Sequence, residues 1–376
     1  MMSRMAGSSD NSWQSLFTAD EGQGTTEALQ LRVISRSGQP FLILPANPKL
    51  AVQALTLYPA QTLRARIARG VLRCALLARL PLMPGRVSLN VGLENPFVHF
   101  LQNLAHCSPE ELPALGVLAG NPGSPGRRFI LMVFNNQQRP VAIVKAGLND
   151  AARELIGREA AFLEFVPHGT AGIPALHARF EHPRLHALAL DYFEGESPRA
   201  ADEKTMPALL GSWLKPHKTI PVALTRTWWE LEQVCGAHPL FDALTQRLAN
   251  RIVHPAIFHG DFVPWNIKAR CGAWTVLDWE RGDLNGLPGY DWFHFVIQTR
   301  ILVAKKSTAS LMRALTRLLH SAEFQQYAGR AGLLGVEREM ALAYLLHHNE
   351  VIYPAEGLAQ GRELLDALAA QWLKIT

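Results

Sequence analysis

His259-Gly260-Asp261-Phe262-Val263-Pro264-Trp265-Asn266 opens the stretch that decides how this chain is read. A short polar turn follows, then Val276-Leu277-Asp278-Trp279-Glu280 and Gly286-Leu287-Pro288-Gly289-Tyr290-Asp291. Asp261 and Asn266 stand five positions apart, a carboxylate and an amide on one loop. Arg270-Cys271-Gly272 reads as a hairpin turn, and Ala273 to Leu277 as an apolar strand that delivers Asp278. One carboxylate can orient a hydroxyl and accept its proton. A second carboxylate and an amide oxygen are hard donors of the kind magnesium takes.

His259-Gly260-Asp261, Asn266 and Leu277-Asp278-Trp279-Glu280, with the later Gly286-x-Pro288-x-x-Asp291, resemble the signature of the aminoglycoside phosphotransferase and choline kinase group. That group is a branch of the protein-kinase-like fold in which Gly replaces the Arg of His-Arg-Asp. The resemblance covers roughly residues 110–350. His-Gly-Asp alone recurs by chance; the spaced Asn266, Asp278 and Asp291 make the signal specific. It implies an α+β, bilobal fold with a small β-rich lobe, a larger helical lobe and an extra N-terminal segment. It implies ATP and magnesium as cofactors and a hydroxyl of a small molecule as phosphoryl acceptor. Asp261 becomes the catalytic base, Asn266 and Asp278 the metal ligands. His259 is expected to brace the loop, and Asp291 to satisfy backbone donors near it. Trp265, Trp279 and Glu280 flank the loops, where substrate contact and a structural role are both open.

Upstream, Ala114 to Ala119, Phe129 to Phe134 and Val141 to Val144 read as strands, with Gly120 to Gly126 a hairpin tip between the first two. That tip does not match G-x-G-x-x-G, and as a phosphate cradle it is a weak signal. Ala142-Ile143-Val144-Lys145 resembles the Val-Ala-Ile-Lys strand whose lysine reaches phosphates. Such a lysine needs a carboxylate partner. In the following helix, Ala151 to Phe165, Glu159 matches the family's acid, with Glu154 and Glu164 as rivals. Asp191, Tyr192 and Phe193, after the strand that begins at Leu185, resemble the linker whose backbone pairs with adenine.

The 376 residues suffice for two domains: 48% are hydrophobic, 18% charged, and the net charge is +5. The expected divisions are a mobile tail over 1–25, an N-terminal extension over 26–109, a β-rich lobe over 110–193 and a helical lobe over 194–376. The extension holds a hairpin between Leu29 and Leu44 and a short helix from Lys49 to Tyr58. Its clearest element is a helix over 61–80, in which apolar residues recur at helical spacing among Arg64, Arg66, Arg69, Arg73 and Arg79. No Asp or Glu occurs between Glu27 and Glu94. A basic amphipathic helix can lie on an anionic membrane; packing of its apolar face on the neighbouring lobe is the favoured expectation.

The helical lobe should hold helices at 206–214, 223–235, 240–251, 292–303, 308–319, 328–347 and 357–373. No apolar stretch reaches the ~18 residues of a membrane span, and Met1 to Gln14 lacks the apolar core of a secretory signal. Four scattered cysteines, Cys74, Cys107, Cys235 and Cys271, point to reduced thiols in a cytoplasm. The basic cluster lacks interleaved aromatics, which argues against nucleic acid. The competing function is a non-catalytic kinase-like scaffold that docks a partner or membrane through its N-terminal segment. A protein kinase is disfavoured by His-Gly-Asp and by the lack of an Ala-Pro-Glu segment after Asp278. The acceptor is unread; a sugar or glycan intermediate is one candidate.

Overall fold

Hydrophobic alternation in the first half of the chain is realised as one antiparallel sheet. A computed structural model describes residues 12–17, 25–58, 60, 63–78, 85–121, 123–198, 202–352 and 359–374. The chain divides into two compact units, Met1–Phe165 with Pro174–Glu194, and Val166–Ile173 with Gly195–Thr376.

The first unit contains, in chain order, β1 (Thr26–Arg36), β2 (Gln39–Pro45), α1 (Pro48–Ala54), α2 (Leu63–Leu77), β3 (Arg86–Gly92), α3 (Pro96–Ala105), β4 (Leu115–Ala119), β5 (Arg128–Phe134), β6 (Pro140–Gly147), α4 (Asp150–Phe165), β7 (Leu176–His182) and β8 (Leu185–Asp191). The eight strands form a sheet of order β3-β1-β2-β4-β5-β6-β8-β7. Ser37 and Gly38, at φ of 50° and 77°, make the turn that joins β1 to β2 and matches strand twist. Residues 26–109, read from sequence as an extension, supply three strands to the same sheet as residues 115–191. β3 and α3 are additional to the elements expected from the sequence. Asn47 and Asn95 each cap a helix by accepting from the backbone two residues on, with Pro at the first helical position.

Each sheet face has its own core. One gathers Leu29, Leu31, Val91, Phe97, Leu101, Val117, Phe129, Leu131 and Val144. Trp13, Leu16 and Phe17 belong to it, 2–4% exposed, so this part of the expected tail is a buried anchor. Residues 1–11 and 18–24 of that tail lie outside the described residues. The other face packs Leu42, Leu44, Leu50, Ala54, Leu76 and Met132.

α2 departs from expectation. Leu76 is buried and Leu72 half-buried against the second core. Ile67, Val71 and Leu77 are 58%, 64% and 57% exposed. The apolar stripe is therefore split between two faces of the helix. Leu80 lies outside the described residues.

The second unit is mainly helical: α5 (Met206–Ser212), β9 (Ile220–Pro221), α6 (Arg226–Cys235), α7 (Pro239–Leu248), β10 (Ile252–Val253), β11 (Ala256–Phe258), β12 (Ile267–Arg270), β13 (Ala273–Val276), β14 (Asp283–Gly286), α8 (Tyr290–Gln298), α9 (Thr308–Leu319), α10 (Ala322–Ala331), α11 (Glu337–His347) and α12 (Ala359–Trp372). The strands pair as β9 with β10, β11 with β14, and β12 with β13. The helix expected over 328–347 is two, because Gly332 at φ 80° ends α10. The expected 357–373 helix is α12, with residues 357 and 358 outside the described residues. All four cysteines are free thiols. Among the described residues no helix is long and apolar enough to cross a membrane.

Gly116 in β4 tests whether the early segment is integral to the sheet. A Cβ there would lie 2.5 Å from Ala54 Cβ of α1. Gly116→Ala should destabilise the first unit by about 1–3 kcal/mol through overpacking. Urea unfolding would read the loss; an unchanged midpoint would mean that α1 does not pack this closely.

Candidate active site

Two side chains, His259 and Asp291, hold the loops of the second unit. Asp291, in the first turn of α8 and 5% exposed, accepts from the backbone N–H of His259 (2.8 Å, Oδ2) and of Gly260 (3.1 Å, Oδ1). Burial pushes its carboxyl up to about 7, against the two N–H groups that favour the charged form. His259 is fully buried. Its Nδ1 accepts from the Asp261 N–H (3.1 Å), so the proton sits on Nε2, which donates to the Leu277 carbonyl (2.9 Å). Burial lowers its pKa to about 4, which keeps it neutral. Both expected roles, bracing for His259 and backbone satisfaction for Asp291, are what these contacts do.

Gly260 sits where the backbone admits no ordinary side chain. Its φ is 82°, and a Cβ would lie 2.8 Å from Arg281 Cβ. The turn beyond it leaves Asp261 half-buried, with its carbonyl held in the loop by the Asn266 amide.

Asp261 and Asn266 meet directly. The Asn266 side-chain amide donates to the Asp261 carbonyl and to its Oδ2, both at 2.9 Å. Both bonds use Nδ2, which leaves the carbonyl Oδ1 as the atom of this amide suited to a cation. Asp261 Oδ1 accepts from His294 Nε2 at 3.1 Å. His294 is buried in α8, and its Nδ1 accepts from the Tyr344 hydroxyl at 3.0 Å. Burial works to raise the Asp261 pKa. The hydrogen bond from His294 and the nearby Arg281 guanidinium outweigh it and hold the carboxyl below its ordinary value.

Asp278 follows β13 at φ 76°, a left-handed conformation that costs on the order of 1–3 kcal/mol for such a residue. Its neighbours impose it. The Leu277 N–H donates to the Asn266 carbonyl at 2.7 Å, while the Leu277 carbonyl takes the His259 bond. On the other side Trp279 is fully buried, its indole N–H on the Val276 carbonyl (2.7 Å) and its ring against Trp213 and His259. Trp279 is thus a wedge within the core and not a substrate contact. The β12–β13 register, Ile267 opposite Val276, sets Asn266 beside Leu277 and so next to the Asp278 turn.

In the first unit, Lys145 of β6 and Glu159 of α4 form a buried pair, Nζ to Oε1 2.6 Å and to Oε2 2.7 Å. This selects Glu159 over its rivals: Glu154 pairs with Arg158, and Glu164 with Arg179, both on the exposed side of α4. At the end of β8, Asp191 is exposed and accepts from His177 Nδ1 (3.0 Å). Tyr192 donates its backbone N–H to Val141 (3.2 Å), which leaves Phe193 as the first of the three beyond the sheet. The Gly120–Gly126 tip closes on itself. Gly123 N–H donates to Asn121 Oδ1, Ser124 N–H to the Asn121 carbonyl, and Arg127 N–H to the Ser124 carbonyl, each within 3.2 Å. Those amides are committed to the turn.

His294 and Tyr344 were not among the sequence candidates. Nothing in their spacing marks them; Trp292-Phe293-His294 reads as one more apolar helix turn. Only the three-dimensional approach of α8 and α11 to the Asp261 loop reveals them.

No protein-family model and no curated protein sequence matches this chain. Among solved structures, aminoglycoside phosphotransferase APH(4)-Ia aligns at 13% identity over 73% of this chain and 97% of its own, with a TM-score of 0.46. The enzyme APH(2'')-IIa, in a ternary complex with streptomycin and ATP, aligns at 13% identity over 72% and 96%, TM-score 0.41. APH(3'')-Id from Streptomyces rimosus, with ADP and streptomycin, aligns at 15% identity over 58% and 88%, TM-score 0.40.

Asp291→Asn isolates the brace. An amide offers one acceptor where two backbone donors point, so one N–H loses its partner in a buried place. The second unit should lose about 1–3 kcal/mol. Denaturation followed by the fluorescence of Trp213, Trp279 and Trp292 would show it; equal stability would mean that the loop does not depend on this carboxylate.

Proposed function

We propose that this chain is a phosphotransferase that moves the γ-phosphoryl group of ATP, with magnesium, to a hydroxyl of a small molecule. The observation that carries the reading is the Asp261–Asn266–Asp278 cluster. One carboxylate is joined to an amide whose carbonyl oxygen points elsewhere, and a second acid follows in a left-handed turn whose preceding residue, Leu277, bonds the Asn266 backbone.

The donor set suits the metal. Asn266 Oδ1 and the Asp278 carboxylate are hard oxygen ligands, and magnesium commonly completes its shell with water and nucleotide phosphates. Bound there, the ion would neutralise charge on the phosphates. Among the described residues no group of three or more His, Cys, Asp or Glu converges as a metal cage, and a site completed by substrate needs none.

Asp261 receives the acceptor hydroxyl, orients its oxygen toward the γ-phosphorus and takes its proton as the new P–O bond forms and the bond from the γ-phosphorus to the β–γ bridging oxygen breaks, with ADP as leaving group. His294 and Asn266 hold the two carboxylate oxygens and so fix the angle at which this happens. A carboxyl held below its usual pKa stays ionised and ready at neutral pH. Lys145, aligned by Glu159, is assigned to the α and β phosphates. Asp191, Tyr192 and Phe193 are assigned to the adenine edge, with the Phe193 main chain best placed beyond the sheet. The acceptor class, a small hydroxylated molecule, is the one implied by the resemblance of the His259–Asp261 and Leu277–Glu280 stretches. The four free thiols fit a cytoplasmic setting.

Asp261→Asn tests the catalytic assignment. The change is nearly isosteric but leaves one acceptor where the Asn266 amide and His294 both donate, so thermal unfolding should show a loss of up to about 1–3 kcal/mol while tryptophan fluorescence reports a folded protein at assay temperature. Phosphoryl transfer from ATP to a panel of hydroxylated metabolites should fall by ~10²–10⁴-fold. A folded variant that transfers at the wild-type rate would remove Asp261 from the chemistry. A wild type that binds ATP yet transfers to no acceptor would instead favour a docking scaffold.

A further inference from the structure

α2 carries two apolar faces, and among the described residues only one of them is packed on the rest of the chain. On a helical wheel Ala65, Arg69, Leu72 and Leu76 lie on one side, and this is the side that is half-buried or buried. Arg69 is anchored there by donating to the Tyr58 carbonyl at 3.4 Å. Directly opposite run Ile67, Val71, Cys74 and Ala78, all exposed, with Leu77 beside them. A chain that only needed to cover its second core would carry polar residues at these positions.

The flanks of this outward ridge are cationic. Arg64 lies on one side; Arg66 and Arg73 lie on the other, beyond Leu77, and all three are exposed. The helix has no acid. From Ala28 to Leu93 the chain carries nine cations, Arg32, Arg36, Lys49, Arg64, Arg66, Arg69, Arg73, Arg79 and Arg86, and no carboxylate.

Aliphatic side chains outward, guanidiniums at the waterline and the third side packed on the protein form the arrangement of a helix that lies in a lipid interface. We infer that α2 docks this protein on an anionic bilayer surface. Ile67, Val71 and Leu77 would enter the boundary between headgroups and acyl chains, and Arg64, Arg66 and Arg73 would meet lipid phosphates. Nucleic acid would meet the charge but leave the aliphatic ridge in water. A self-association interface needs about 800 Å² per partner, more than a ridge with three large aliphatic side chains supplies. An anionic membrane uses both features at once.

The inference does not depend on the phosphotransfer reading and is tested without an activity assay. Full-length protein is sedimented with vesicles of phosphatidylcholine alone and with vesicles containing about a third phosphatidylglycerol. Binding is expected only to the second, and should weaken as salt screens the charge. The double variant Ile67→Asp, Val71→Asp alters two exposed positions, so its thermal unfolding should match wild type while vesicle binding falls at least tenfold. Arg64→Gln, Arg66→Gln, Arg73→Gln should weaken binding and leave its residue salt-insensitive. The inference is overturned if wild type ignores the anionic vesicles, or if the aspartate variant binds them as wild type does. It is equally overturned if light scattering shows a wild-type dimer that the aspartate variant dissolves, since the ridge would then be a self-contact.

Discussion

The candidate site depends on one buried carboxylate. Asp291 gathers two successive backbone N–H groups, those of His259 and Gly260, and so fixes the start of the loop that carries Asp261 and Asn266. Hydrogen bonds to a charged group contribute about 1.5–3 kcal/mol each, set against the cost of burying that charge. Burial raises the group to about 7, which shows how strongly the two effects oppose each other. Gly260 completes the arrangement, since its left-handed backbone lets both amides face α8 at once.

From that anchor, constraint passes to Asp278 through neutral groups. His259 joins Asp261's backbone to the Leu277 carbonyl, and Leu277 joins back to Asn266. Trp279, driven between Trp213 and His259, closes the other side. A non-glycine residue in a left-handed turn persists only where its surroundings impose it, and here backbone bonds and one buried indole do so. The first unit shows the same economy: Lys145 is held in a buried place by both oxygens of a single glutamate.

The loops were legible in sequence because their chemistry is local. Asp261, Asn266 and Asp278 sit on one hairpin-linked stretch, and the glycine between His259 and Asp261 states its own backbone need. Lys145 could be read from the apolar strand that carries it. Its choice of Glu159 over Glu154 and Glu164 required helix phase against the sheet, which only packing decides. His294 and Tyr344 were invisible because a buried histidine in an apolar helix turn looks like core until its neighbour is known. Two further features were not legible in the sequence, for a physical reason. Trp13, Leu16 and Phe17 lie in a polar, glycine-rich tail, and three apolar residues are too few to announce burial. The periodicity of α2 indicated a helix with apolar positions; it could not say that those positions divide between the core and solvent.

The central claim is that Asn266 and Asp278 hold a metal that the nucleotide shares. Calorimetry of ATP binding with magnesium and with a chelator, in wild type and in Asp278→Ala and Asn266→Ala, addresses it most directly. The account predicts that wild type prefers the magnesium complex, and that each variant loses most of this preference while its affinity for metal-free ATP is kept. Unchanged affinity for magnesium-ATP in both variants would contradict it.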